Sequence, residues 1–128
     1  MSDRGLLPPT SPAWRQRARV LKALGHPTRL FLVDHLSGGE TCVCELADLV
    51  GADVSTVSRH LGVLREAGIL ADERRGAQVF YRLVAPAALD LLRGAERVAR
   101  GAVARDAAAL AELAGGGRPH RERAEAVP

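Results

Sequence analysis

Between Ala13 and Leu24 the apolar positions Trp14, Ala18, Leu21 and Leu24 recur at helical spacing, and Arg15, Arg17, Arg19 and Lys22 fill much of the rest. That pattern predicts an amphipathic helix. Gly25-His26 stops it, and Pro27 opens a second helix through Leu30, Phe31, Val33, Asp34 and Leu36, because proline suits the first helical position. Ser37-Gly38-Gly39 ends that helix. Thr41 is the expected N-cap of a short third helix to about Val50, and Asp53 of a fourth from Val54 to about Ala67. Small Ala47, the turn at Gly51, and the stripe Val57, Leu61 and Leu64 follow the plan of two helices crossing closely at a tight turn.

Beyond Gly68 the period changes. Val79, Tyr81 and Leu83 alternate with Gln78, Phe80 and Arg82, and Gly76-Ala77 separates this run from Ile69–Arg75. Alternation around a two-residue loop that begins with glycine predicts a hairpin with a type II′ turn. Pro86 then opens a long helix with Ala88, Leu91, Leu92, Ala95, Val98, Ala99 and Ala102 on one stripe, reaching about Leu113. The fold class that emerges is mostly α (α+β). It is a helix-turn-helix with a two-stranded β-wing, flanked by N- and C-terminal helices suited to dimerisation. The expected organisation is a disordered arm over 1–12, one domain over 13–114, and a disordered Arg-rich tail over 115–128.

Composition narrows the class further. With 47% apolar residues but only four Phe, Tyr or Trp, the core must be filled by Leu, Val and Ala, which favours helices. No apolar run approaches the roughly 18 residues of a membrane span, and the N-terminus lacks a signal-peptide core. The chain is therefore expected in the cytoplasm, without a membrane partner. A net charge of +3 alone identifies no nucleic-acid binder, yet 17 of the 18 basic residues are Arg. Arginine suits phosphates and guanine edges. High-GC coding also enriches Arg over Lys, so the placement of the charges carries more weight than their sum.

In the fourth helix Val57, Leu61 and Leu64 face one way, which leaves Ser55, Thr56 and Arg59 on the opposite side, flanked by Ser58 and His60. Small hydroxyls and backbone N–H groups at a helix start can hold phosphates, and Arg59 can fork onto a guanine. Arg74, Arg75 and Gln78 at the wing tip are placed to touch neighbouring backbone or minor groove. These eight residues form the candidate contact set for double-stranded DNA. The long apolar stripe calls for a partner surface, most simply a second copy, and a two-fold dimer predicts an inverted-repeat operator.

The only two cysteines, Cys42 and Cys44, stand one residue apart at the entrance to the helix pair. In a reducing compartment a thiol pair more often serves metal or redox chemistry than a structural disulfide. Free N–H groups and the positive helix end stabilise negative charge on sulfur there. Residues two apart on a helix point about 200° apart. Both sulfurs can thus reach one ion only if the first turn distorts, which would couple ligation to the reading helix. Soft thiolates select arsenite, antimonite, Cd(II), Pb(II), Cu(I) or Zn(II).

The chain resembles the ArsR/SmtB family of metal-responsive repressors over about Leu21–Leu83. The resemblance rests on Leu24-Gly25-His26-Pro27-Thr28-Arg29-Leu30, Cys42-Val43-Cys44-Glu45-Leu46, Ser55-Thr56-Val57-Ser58-Arg59-His60-Leu61 and Val79-Phe80-Tyr81-Arg82-Leu83. It implies a homodimeric winged-helix repressor released from its operator by an inducer. Arsenite sensors of the family place a third cysteine where this chain has Ala47, and Cd(II)/Pb(II) sensors add cysteines from an N-terminal arm that here has none. The family's interface zinc site uses carboxylates and histidines on the last helix, and Pro86–Leu113 contains no His, so that site is expected to be absent. Two thiolates must suffice, or borrow a water, Glu45, Asp48, His35 or His120. Trivalent arsenic can keep an oxygen ligand, so As(III) or Sb(III) is the expected inducer, with Cd, Pb and Zn as alternatives and no organic cofactor. A thiol redox sensor and a constitutive repressor are the competing readings. An enzyme is not expected, since no helix-supported Cys-x-x-Cys, phosphate loop or Ser-His-Asp set is present.

Overall fold

A computed structural model describes residues 7–115. In chain order it contains α1 (Pro12–Leu24), α2 (Pro27–Leu36), β1 (Thr41–Cys42), α3 (Val43–Val50), α4 (Val54–Glu66), β2 (Leu70–Arg75), β3 (Gln78–Leu83) and α5 (Ala87–Gly115). Packing divides the chain into a unit ending at Leu89 and a second beginning at Asp90.

The first unit is built on a layer of aliphatic side chains. Leu32 and Val33 of α2, Leu46 of α3, and Val57, Leu61 and Leu64 of α4 are all 0% exposed. They carry the apolar stripes of three short helices into one core. Each helix boundary has a local cause. Pro12 and Pro27 occupy the first turns of α1 and α2, where a missing N–H costs nothing. Gly51 closes α3 in the left-handed region at φ 79°, and its N–H donates to Ala47 O at 2.9 Å. That conformation helps turn the chain within the three residues between α3 and α4 and suits glycine. Ala47, whose carbonyl accepts that bond, is itself buried.

β2 and β3 pair as the expected hairpin, with Arg75 opposite Gln78 and Leu70 opposite Leu83. Gly76 has φ 64° and no non-glycine residue among those described has positive φ, as a turn that needs positive φ only at its first central residue requires.

Three local expectations are corrected. Thr41 does not cap α3. It lies in β1, which pairs antiparallel with β3, so the sheet has three strands in the order β1-β3-β2. The N-cap is Cys42, whose Sγ accepts the Glu45 N–H at 3.4 Å. Asp53 stands at the N-cap of α4, but its side chain makes no capping bond to the backbone.

The expected arm and tail fall largely on residues 1–6 and 116–128, outside the described residues. What is described of them belongs to helices or their approach. Pro12 is helical, and Leu7 and Thr10 accept hydrogen bonds from Trp14 Nε1 at 3.3 Å and the Arg15 guanidinium at 2.7 Å. α5 runs through Gly115. Within the second unit, Leu91, Val98, Val103, Leu110 and Leu113 are exposed in the single chain.

Candidate DNA interface and thiol site

The N-terminal turn of α4 presents the polar face that its sequence predicts, with one internal rearrangement. Ser55 and Thr56 donate their hydroxyl protons to the Asp53 carboxylate at 2.5 and 2.6 Å. Those two bonds hold the Asp53 carboxyl below its ordinary value, the Ser55 bond first. Both hydroxyl protons are thus engaged in the free chain, with Ser55 exposed and Thr56 half-buried. Ser58 is half-buried. Arg59 is exposed and forms no ion pair among the described residues. It is the one predicted α4 contact that presents a free cationic fork.

His60, expected at the flank of this face, is half-buried. Its Nδ1 lies 3.1 Å from an Arg29 guanidinium nitrogen, and its ring centroid is 4.3 Å from that of His26. It therefore faces the α1–α2 corner rather than standing on the open side of α4 beside Arg59. The helical pattern alone hid this, since a flanking position is read as exposed or covered only once the neighbouring helix is in place.

At the wing, Arg74 and Gln78 are exposed, and Arg74 has no ion-pair partner among the described residues. Arg75 is held: its guanidinium meets Glu40 at 2.8 Å and Glu73 at 2.9 Å, and sits 4.6 Å over the Phe80 ring. The Glu73 carboxyl lies below its ordinary value because Arg75 hydrogen-bonds to it and carries positive charge. Arg65 of α4 ties the recognition helix to the sheet, donating to Asp72 at 3.1 Å and to the Tyr81 hydroxyl at 3.2 Å. Sequence reading singled out neither Arg29, Arg65 nor Glu40, since long-range charge pairing leaves no periodic signal.

The register explains how the thiols join this interface. Directly paired residues share a sheet face, so Cys42 opposite Phe80 and Phe80 opposite Glu73 bring Cys42, Phe80, Glu73 and Arg75 to one side. Cys42 is half-buried, and Cys44, the second residue of α3, is exposed. Among the described residues no three His, Cys, Asp or Glu side chains cluster so as to hold a metal ion. Of the side chains proposed as a third ligand, His35, Glu45 and Asp48 form no such group, and His120 lies outside the described residues.

A tight helix pair with an exposed arginine face, backed by a small antiparallel sheet with a basic tip, defines a winged helix-turn-helix DNA-binding regulator. The family of bacterial regulatory proteins of the arsR type matches residues 26–72. A biofilm growth-associated repressor from Agrobacterium fabrum is 44% identical over 85 residues, covering 63% of this chain and 73% of that protein. The chain belongs to the ArsR family. Its Xylella fastidiosa counterpart is 47% identical over 75 residues, 59% of this chain and 66% of that protein, just under two thirds of its length. The arsenical resistance operon repressor of Escherichia coli is 44% identical over 66 residues, 51% of this chain and 56% of that one. Among solved structures, a homodimeric winged helix-turn-helix DNA-binding domain from Mycobacterium bovis has a TM-score of 0.63 at 26% identity, covering 90% of this chain and 96% of that one. These relatives are regulators of transcription, not enzymes. No described helix is long and apolar enough to cross a membrane.

Arg59→Ala should weaken operator binding by about 1–3 kcal/mol and relax sequence choice at one position of the site. Competition binding with single-base operator variants checks this. An unchanged affinity and an unchanged preference would remove Arg59 from the contact set.

Proposed function

We propose that the protein is a cytoplasmic repressor that holds an inverted-repeat operator as a homodimer. Arsenite or antimonite binding at Cys42 and Cys44 releases it. Ser55, Thr56, Ser58 and Arg59 supply the groove contacts from α4, and Arg74, Gln78 and, once freed from its carboxylates, Arg75 supply those from the wing. The homodimeric M. bovis structure and the exposed apolar residues of α5 support a second copy as partner.

The observation that carries the thiol assignment is the position of Cys42. Its sulfur is the acceptor that caps α3, and α3 packs against α4 across the turn at Gly51. Pulling the Cys42 sulfur toward an ion shared with Cys44 displaces it from the Glu45 N–H and loosens the first turn of the supporting helix. The same residue stands on the sheet face that holds Arg75. Cys42 thus adjoins both the helix that supports α4 and the sheet that carries the wing. Two thiolates without a third protein donor fit trivalent arsenic, which keeps an oxygen ligand. Zinc prefers four protein donors in a closed site, a set these residues do not supply.

The missing third donor also favours a second reading, in which oxidation of the pair is the signal. A disulfide across one residue is strained and easily reduced. The test for both is fluorescence anisotropy of the reduced protein on its own promoter DNA, titrated with arsenite, Cd(II), Pb(II), Zn(II) and a thiol oxidant. Release by micromolar arsenite, reversed by excess dithiol, is the expected result. Release by oxidant alone transfers the role to redox sensing, and binding unmoved by every addition rejects both.

A further inference from the structure

The α1–α2 corner beneath the recognition helix holds two imidazoles and a guanidinium in contact. Thr28 N–H donates to His26 Nδ1 at 3.1 Å, and this bond caps α2. Arg29 Nε donates to Ala23 O at 2.5 Å in the last turn of α1, and the same side chain lies 3.1 Å from His60 Nδ1 on α4. A guanidinium has only donors, as does a backbone N–H. Both Nδ1 atoms must therefore be acceptors, which for His60 means a neutral ring with its proton on Nε2. One arginine thereby joins the end of α1, the start of α2 and the middle of α4, and the joint to α4 depends on a lone pair of His60.

A proton added to His60 Nδ1 turns that acceptor into a donor facing a donor. It also places a positive ring beside cations. The charged and titratable groups bearing on His60 are His26 and Arg29 from the α2 side and Arg59 on its own helix. All are basic. No described ion pair brings a carboxylate to Arg29 or His60.

We infer that His60 is a positioning residue, not a DNA contact: its neutral imidazole docks α4 on the α1–α2 corner through Arg29, so acidification loosens the operator complex. Partial burial, then His26, Arg29 and Arg59, hold the imidazole below its ordinary value. A histidine depressed on folding contributes stability that is complete above its ordinary value, about 6.5, and is lost as pH falls through the folded value.

The inference rests on the DNA-binding reading, and its test separates the two. Absence of operator binding at pH 7.5 defeats that reading. Binding at pH 7.5 that fails to respond to acid defeats only this inference. Operator affinity of the full chain is measured from pH 7.5 to 5.5 at constant ionic strength, over the range in which far-UV circular dichroism is unchanged. Wild type should weaken about tenfold across this range. H60N, whose amide oxygen can accept from Arg29 but cannot titrate, should bind normally at pH 7.5 and stay within about twofold across the range.

A histidine touching phosphate behaves oppositely, since its protonation adds a cation to the interface and tightens binding. Affinity that rises with acid overturns the inference, as does an acid loss that H60N retains. A second measurement needs no variant. A long-range imidazole 1H–15N spectrum of wild type at pH 7.5 should show His60 as the Nε2–H tautomer, and an Nδ1–H tautomer overturns the proposal.

Discussion

Exchange of Cys42 for serine is expected to leave operator affinity within about threefold and to abolish release by arsenite. Serine is among the preferred N-cap residues, and its hydroxyl oxygen can accept the Glu45 N–H that Sγ now accepts. With Glu45 three residues on, the substitution also creates the Ser-x-x-Glu arrangement in which side chain and backbone cap one another. The fold is therefore retained while the soft ligand is lost. Cys42→Ala separates the two roles of the sulfur. It removes the cap as well, at a cost of about 1 kcal/mol in helix stability. Cys44 is exposed and its side chain makes no hydrogen bond within the described residues, so Cys44→Ser should be silent in stability and equally unresponsive to inducer. Normal release from either serine variant in the anisotropy titration sinks the thiol assignment.

Leu61→Ala should have the largest effect on stability, about 2–5 kcal/mol in urea unfolding. Leu61 is 0% exposed at the centre of the α4 stripe, between Val57 and Leu64, which are equally buried. Truncation loses the transfer free energy of its side chain and leaves a cavity that three packed helices cannot close without shifting α4. Against the 5–15 kcal/mol typical of a domain, a loss of this size empties much of the folded population. Val63, two residues away and 37% exposed, provides the contrast. Its exchange for alanine should cost no more than about 0.5–1 kcal/mol, close to a surface change. Equal losses at the two positions would mean that α4 is not anchored by the face assigned to it.

The helices and the hairpin were legible because their causes are local. Pro12 and Pro27 mark helix starts, Gly51 and Gly76 take conformations that suit glycine, and the change from helical to alternating spacing marks the wing. β1 was not legible. Two residues have no period, and Thr41–Cys42 become a strand only because β3 offers them an unpaired edge. Once Thr41 is drawn into the sheet, the helix begins one residue later, and the capping role passes from a hydroxyl to a sulfur. An expected first-turn distortion thereby becomes a specific one, the loss of a single bond from Glu45.

The candidate contacts divide in the same way. Arg59 and Arg74 form no ion pair among the described residues, which matches their polar surroundings in the chain. Arg75 and His60 differ because their partners are remote in sequence. Glu40 is 35 positions from Arg75, and Arg29 is 31 from His60. Residue types and spacing determined that this chain forms a winged helix-turn-helix with a thiol pair at its entrance, since capping, turn and periodicity act within a few residues. Which cations face outward, which sulfur caps α3 and which histidine locks α4 were decided by tertiary structure. Hydrogen bonds and ion pairs form between whatever groups the fold brings together, and sequence distance does not restrict them.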